Sequence, residues 1–343
     1  MEKISLYGLS TDEIFTTLNL SKSFQAKQIF QWLIKGVTDF NLMSNISKFE
    51  RERLATEFGS AISSTVIDTQ TDSSGATKLA IELSDGAVVE SVLLVDKSER
   101  KTACISSQVG CAMGCKFCRT GTMGLIRNLT AAEIIEQFVH LRQLGHVTHI
   151  VYMGMGEPLA NFGELAKSIR YFHSEEAFFI SLRRITVSTC GIVSGINKLI
   201  EQNLNVKLAI SLVSADDKLR SKIMPINDTF NLNQLKKSLL HYQNKGGTRL
   251  TLEYCMLGGV NCNLHSAKKL ATFYNGLEAV VNLIPWNPVE EMTWSTPTTE
   301  EINIFTQYLD EFNVKYVRRF TRGRSVNAAC GQLATKNNER KNK

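Results

Sequence analysis

The sequence predicts an α/β protein: an open, partial (β/α)6 barrel, preceded by a small helical domain and a β-hairpin linker. Three observations point there. From residue 102 onward, short apolar strands alternate with helical stretches, a pattern that calls for a parallel sheet. Earlier in the chain, Phe24, Ile29, Phe30, Trp32 and Leu33 recur at helical spacing. Between these regions, apolar runs at 78–83 and 87–94 flank Ser84, Asp85 and Gly86, and Asp-Gly is a strong hairpin turn. The expected division is a helical region at 1–75, a hairpin linker at 76–100, the barrel with its C-terminal segment at 101–335, and a basic tail at 336–343.

Taken in order, Ser10 followed by Thr11, Asp12 and Glu13 opens the first helix. The hairpin follows. Within its second strand, Glu90 sits among valines, either on a solvent face or held near a function with a raised pKa; the residues alone favour the solvent face. The first barrel strand is expected at 102–106. Thr130 with Glu133 three residues on forms a capping box for a helix at 131–144. Further strand and helix pairs are expected at 148–153 and 162–173, 184–187 and 192–201, and 206–212 and 232–243. Two more follow at 248–256 and 267–274, and at 280–284 and 299–312, with a last strand at 315–319. Such a count falls short of a closed eightfold barrel.

The bulk properties narrow the setting. No apolar run approaches a membrane span and no signal pattern opens the chain, so a cytoplasmic protein with reduced thiols is expected. The formal net charge is +6. From Lys315 to the end there are nine Lys or Arg and one Glu, which is +8, leaving 6 − 8 = −2 for the rest. A basic C-terminus on a near-neutral body suggests a polyanionic partner, with affinity that falls as salt rises.

The chemistry-bearing residues cluster at the ends of expected strands. Four of the eight cysteines fall between Cys104 and Cys118, and Cys111, Cys115 and Cys118 form Cys-x3-Cys-x2-Cys. This set is one ligand short of a closed tetrahedral zinc site. It suits a [4Fe–4S] cluster with three irons held by protein and one left open; zinc or structural thiols are the alternative. Gly154-Met-Gly-Glu157 follows the second strand, Ser188 the third and Ser211 the fourth, and Asn287 follows the sixth. All lie at carboxyl ends of strands, the face where barrels place their sites.

Cys-x3-Cys-x-aromatic-Cys, with Phe117 as the aromatic, resembles the cluster motif of the radical S-adenosylmethionine (SAM) superfamily. Ser106-Ser-Gln-Val-Gly-Cys111 and Gly124-Leu-Ile-Arg-Asn-Leu-Thr130 narrow the resemblance to the RlmN/Cfr family of RNA adenine C-methyltransferases. The likeness runs from about Ser5 to Leu333. It implies a partial radical SAM barrel, a [4Fe–4S] cluster and SAM, two molecules per turnover. It also implies that residues 23–32 belong to an RNA-contacting domain. The implied substrates are large-subunit ribosomal RNA and tRNA beside the anticodon. Electrons would come from a donor such as flavodoxin or ferredoxin, and a monomer is expected.

The resemblance also implies roles. Gly156, Glu157, Ser188, Ser211, Leu212, Val213 and Asn287 match SAM-contact positions. Cys330, in Ala329-Cys-Gly-Gln-Leu333, matches a methyl-carrying cysteine, although a lone cysteine is more often structural. Cys104 matches the thiol that later attacks the Cys330 sulfur and leaves a transient disulfide. Glu90 matches the acceptor of the base proton. Cys190, Cys255 and Cys262 read as structural.

Two stretches depart from the family. It usually has histidine where Val213 stands, and tends to acidic residues where Arg324, Ser325 and Asn327 stand. Pro158 after Glu157 favours the RlmN branch, hence carbon 2 of adenine. Methylation of carbon 8 and a non-catalytic iron–sulfur RNA binder are the rival readings.

Overall fold

Alternation of apolar and polar residues builds one ten-stranded sheet in two halves. The computed structural model describes residues 4–289, 292–319 and 329–333. Strands β1 (Thr65–Thr71), β2 (Thr77–Glu82), β3 (Val88–Val95) and β4 (Lys101–Cys104) pair antiparallel in sequence order. A small separate sheet joins β5 (Gln108–Cys111) to β6 (Gly124–Asn128). From β4 the large sheet continues in parallel through β7 (Val147–Tyr152), β8 (Ile185–Thr189), β9 (Lys207–Ser211), β10 (Leu250–Met256), β11 (Ala279–Pro285) and β12 (Tyr316–Arg318). The sheet stays open, as expected of a partial barrel.

Three of the βα crossover helices start with a capping box. Thr130 caps Ala131–Arg142 in a capping box with Glu133, Asn231 does so with Gln234 for Leu232–Asn244, and Thr298 with Glu301 for Thr299–Glu311. These boxes satisfy N–H groups that a helix start leaves unpaired. The helices cover a core that is continuous from Leu6 to Leu333.

The helical expectation for 1–75 holds to Phe58 and then fails. Thr65–Thr71 is strand β1, almost wholly exposed at the sheet edge. Its β-branched residues suit a strand, but an edge strand exposed on both faces carries no burial period to read. The hairpin forms and its second strand pairs on into the barrel, Val92 opposite Cys104. The helical region is bound to the barrel through Glu136 on the first crossover helix, fully buried. Its carboxylate accepts from the backbone N–H of Ser63 at 2.8 Å and of Ser64 at 3.0 Å. Two short helices, Asp217–Ile223 and Ile226–Thr229, fill what reads as loop after β9.

Candidate active site

The carboxyl ends of the parallel strands surround a cavity of about 180 Å³. Cys111, Cys115 and Cys118 line one wall. The β5–β6 ladder frames their loop, which is pinned by Lys116 N donating to Ile223 O at 2.9 Å. The Trp286 and Trp294 indoles donate to the carbonyls of Phe117 (3.0 Å) and Lys116 (2.7 Å). Burial pushes all three thiols up, Cys111 to about 12. A metal that stabilises the thiolates would reverse this.

Among the described residues no group of three Cys, His, Asp or Glu side chains is placed to hold a single metal ion. The three thiols instead share a cavity wall, as a multi-iron cluster with one thiolate per iron requires. The three thiols on one cavity wall fit a cluster that leaves one iron open to the cavity.

On the next strand ends, Gly156 has φ +97°, and a Cβ there would sit 2.5 Å from that of Gln108. Only glycine fits. Glu157 follows, buried, its carboxylate accepting from Leu159 N (3.0 Å) and Cys190 N (2.8 Å). Burial holds its pKa above the ordinary range, so a cationic group in the cavity would find a poorly solvated carboxylate to pair with. Ser188, Ser211, Val213 and Asn287 also line the cavity. Val213 holds φ +58°, a strained region for a β-branched residue. Leu212 points into the core instead, and only its backbone serves the rim.

Cys330 closes the cavity from the far end of the chain. Four hydrogen bonds dock its segment. Arg119 N donates to Gly331 O (2.8 Å), Thr120 Oγ1 to Leu333 O (2.6 Å), Asn287 Nδ2 to Cys330 O (3.4 Å) and Gln332 Nε2 to Pro288 O (2.9 Å). As a residue Cys330 is exposed, but the surrounding atoms desolvate its thiol, and with the charge of Glu253 push it up to about 11. Cys104 is buried at the end of β4, outside the cavity lining, and its thiol is raised by burial and then by the charge of Cys330. The two cysteines are therefore electrostatic neighbours.

Glu90 does not lie on a solvent face, as its residue context favours. It is 5% exposed and ion-paired with the equally buried Lys78 at 2.9 Å. Pairing is what makes a carboxylate tolerable there. It lies behind the rim, not in the cavity lining: Ser106 Oγ donates to its carbonyl at 2.6 Å, and its N–H to Met155 Sδ at 3.4 Å. Arg322, Arg324, Ser325, Asn327 and the tail 336–343 lie outside the described residues.

Two residues escaped sequence reasoning. Arg220, 1% exposed, donates to the carbonyls of Cys190 (2.6 Å), Leu212 (3.2 Å) and Ser211 (3.4 Å), tying two strand ends together. Nothing in its local sequence distinguishes it from a surface helix arginine. Glu253 lines the cavity from the middle of β10. An acid inside an alternating barrel strand was a signal that could have found it.

Two family models match. One, the ribosomal RNA large subunit methyltransferase N-terminal domain, covers residues 5–58; the other, the radical SAM superfamily, covers 105–268. The chain is 42% identical to a protein of Treponema pallidum (strain Nichols) named probable dual-specificity RNA methyltransferase RlmN, over 96% of this chain and 97% of that one. It is 39% identical to the dual-specificity RNA methyltransferase RlmN of a Nitratiruptor species, over 92% of this chain and 94% of that one. The crystal structure of a radical SAM methyltransferase from Sphaerobacter thermophilus matches with a TM-score of 0.90 and 38% identity, over 96% of this chain and 99% of that one.

Proposed function

The chain belongs to the RlmN family of radical SAM RNA methyltransferases, and from that premise we propose that it methylates carbon 2 of an adenine. Its substrates are large-subunit ribosomal RNA and tRNA, in keeping with the dual specificity in the relatives' names. One observation carries the reading: Cys330 is docked against the cysteine loop and within electrostatic reach of Cys104.

Cys111, Cys115 and Cys118 would hold the cluster, and Glu157 with Gly156, Ser188, Ser211, Asn287 and the backbone at Leu212 and Val213 would hold SAM. A bound cluster would supply the electron for reductive cleavage of SAM and so the radical chemistry. Cys330 carries the methyl group as a thioether; one hydrogen atom is taken from that methyl, its carbon bonds to the base, and the odd electron passes to a one-electron acceptor as the protein–RNA adduct forms. Carbon 2 of adenine is not nucleophilic, which is why a carrier is needed. Glu90, with Lys78 as counter-charge, takes the base proton. Cys104 then attacks the Cys330 sulfur, frees the RNA and leaves a disulfide. One SAM is used for the thioether and a second for the radical. A one-electron donor such as flavodoxin or ferredoxin serves the cluster, and the enzyme works as a monomer.

The test is a Cys104→Ala variant purified anaerobically. RNA covalently attached to Cys330 is the expected result, and sequencing it names the target. An intact cluster with no adduct would sink the reading. The position of the methyl group on product adenine separates carbon 2 from carbon 8.

A further inference from the structure

Cys330 can be alkylated only as a thiolate, and its surroundings oppose ionisation. Burial and the charge of Glu253 hold the thiol in its protonated form, and methylation must break its S–H bond. A proton acceptor beside it is therefore needed. Most groups nearby cannot serve. Cys104, Cys118 and Cys255 are themselves thiols raised by burial. Arg319 accepts no proton. Asn287 is an amide that donates to the Cys330 carbonyl. Glu157 is held by the backbone N–H groups of Leu159 and Cys190 and is committed to the cationic group of SAM, and Glu90 lies outside the cavity lining, paired with Lys78.

Among the described residues that leaves Glu253. It lines the same cavity from β10, and its charge raises the Cys330 thiol. Asn282, its register partner on β11, orients the carboxyl by donating Nδ2 to Oε1 at 2.9 Å. On the other side, its register partner on β9 is Ser211, which carries no charge. Arg319, just beyond β12, is the cation that acts on it. Burial lifts its pKa to about 7 against that cation, near the value that suits a base working at neutral pH.

We propose that Glu253 is the group that receives the thiol proton of Cys330 when that sulfur is methylated. The proposal rests on the reading of Cys330 as methyl carrier. The S–H bond breaks and an O–H bond forms on Glu253, directly or through one water. The sulfur electron pair forms the new S–CH3 bond as the methyl–sulfonium bond of SAM breaks, releasing S-adenosylhomocysteine. No electron leaves or enters. The protonated carboxyl is neutral, so it does not repel the thiolate it has just helped to form.

The experiment uses the full chain with its cluster reconstituted anaerobically. The rate at which methyl-labelled SAM marks the Cys330 peptide is followed by mass spectrometry across pH. In the wild type the rate should rise through about pH 7 and level off. Glu253→Gln keeps an acceptor for Asn282, but should be about 100-fold slower and lose the inflection. Glu253→Asp should keep it. In parallel, iodoacetamide labelling of Cys330 at alkaline pH, where hydroxide takes the thiol proton, should be as fast in Glu253→Gln as in the wild type, because access to the sulfur is unchanged. A Gln variant methylated at the wild-type rate and pH profile overturns the proposal. So does a loss of alkaline alkylation that parallels the loss of methylation, which would mean only that Cys330 has moved. A wild type that never carries methyl on Cys330 overturns the functional reading itself, and the proposal with it.

Discussion

The cysteine loop at 111–118 and the C-terminal segment at 329–333 face one cavity but are held there by different means. The loop is built into the fold: a two-stranded ladder frames it, a backbone bond to Ile223 anchors it and two indoles clamp it. The segment has no ladder. It is docked by hydrogen bonds that the carbonyls of Gly331, Leu333 and Cys330 accept and one that Gln332 donates, with Ala329 and Leu333 buried. Two of those bonds come from Arg119 and Thr120, directly after the last cysteine of the loop. Dependence therefore runs one way. The segment needs the loop, and the loop does not need the segment.

The largest test of that asymmetry is Cys115→Ala. Iron content, 5′-deoxyadenosine formation and RNA methylation should all fall to background, and limited proteolysis should cut faster near residue 330. Cys330→Ala should abolish RNA methylation just as fully, yet leave iron content and the cluster's visible absorption unchanged. Equal iron loss in both variants would break the comparison.

Glu157→Gln is intermediate. The amide carries no charge to pair with a cationic group of SAM, and a hydrogen bond to a charged group contributes about 1.5–3 kcal/mol. The apparent affinity for SAM should weaken about 10- to 150-fold by calorimetry or equilibrium dialysis. Unchanged affinity would remove Glu157 from the SAM site.

The two smallest changes remove one hydrogen bond from each region. Thr120→Val deletes the bond to Leu333 O, worth about 0.5–1.5 kcal/mol, and RNA methylation should fall about two- to tenfold with iron content intact. Trp294→Phe deletes the bond to Lys116 O at similar cost. The loop has other anchors, so iron retention during gel filtration should drop slightly, if measurably at all. A larger effect from Trp294→Phe than from Thr120→Val would reverse the assignment of the segment as the weaker element.

The sequence by itself determined what depends on near neighbours. Strand–helix alternation yields the parallel sheet because each element shows its buried face as a period. Helix starts such as Thr130 with Glu133 are legible because a cap acts across one turn. The cysteine spacing reads as a cluster loop because all three thiols share a few residues of chain. Gly156 reads as a close approach, and the structure supplies the neighbour, Gln108.

Only the tertiary structure decided the rest. Strand β1 has no buried face, so periodicity had nothing to report. Whether Glu90 met water or a counter-charge depended on Lys78 across the strand pair. Arg220 became a staple because β8 and β9 present their carbonyls to it. Glu253 shares a cavity with Cys330 because β10 and a segment docked from the end of the chain line the same space. Each of these facts is a contact across long sequence separation. Its energy depends on register and on burial, and neither is encoded in the residue type or in its immediate neighbours.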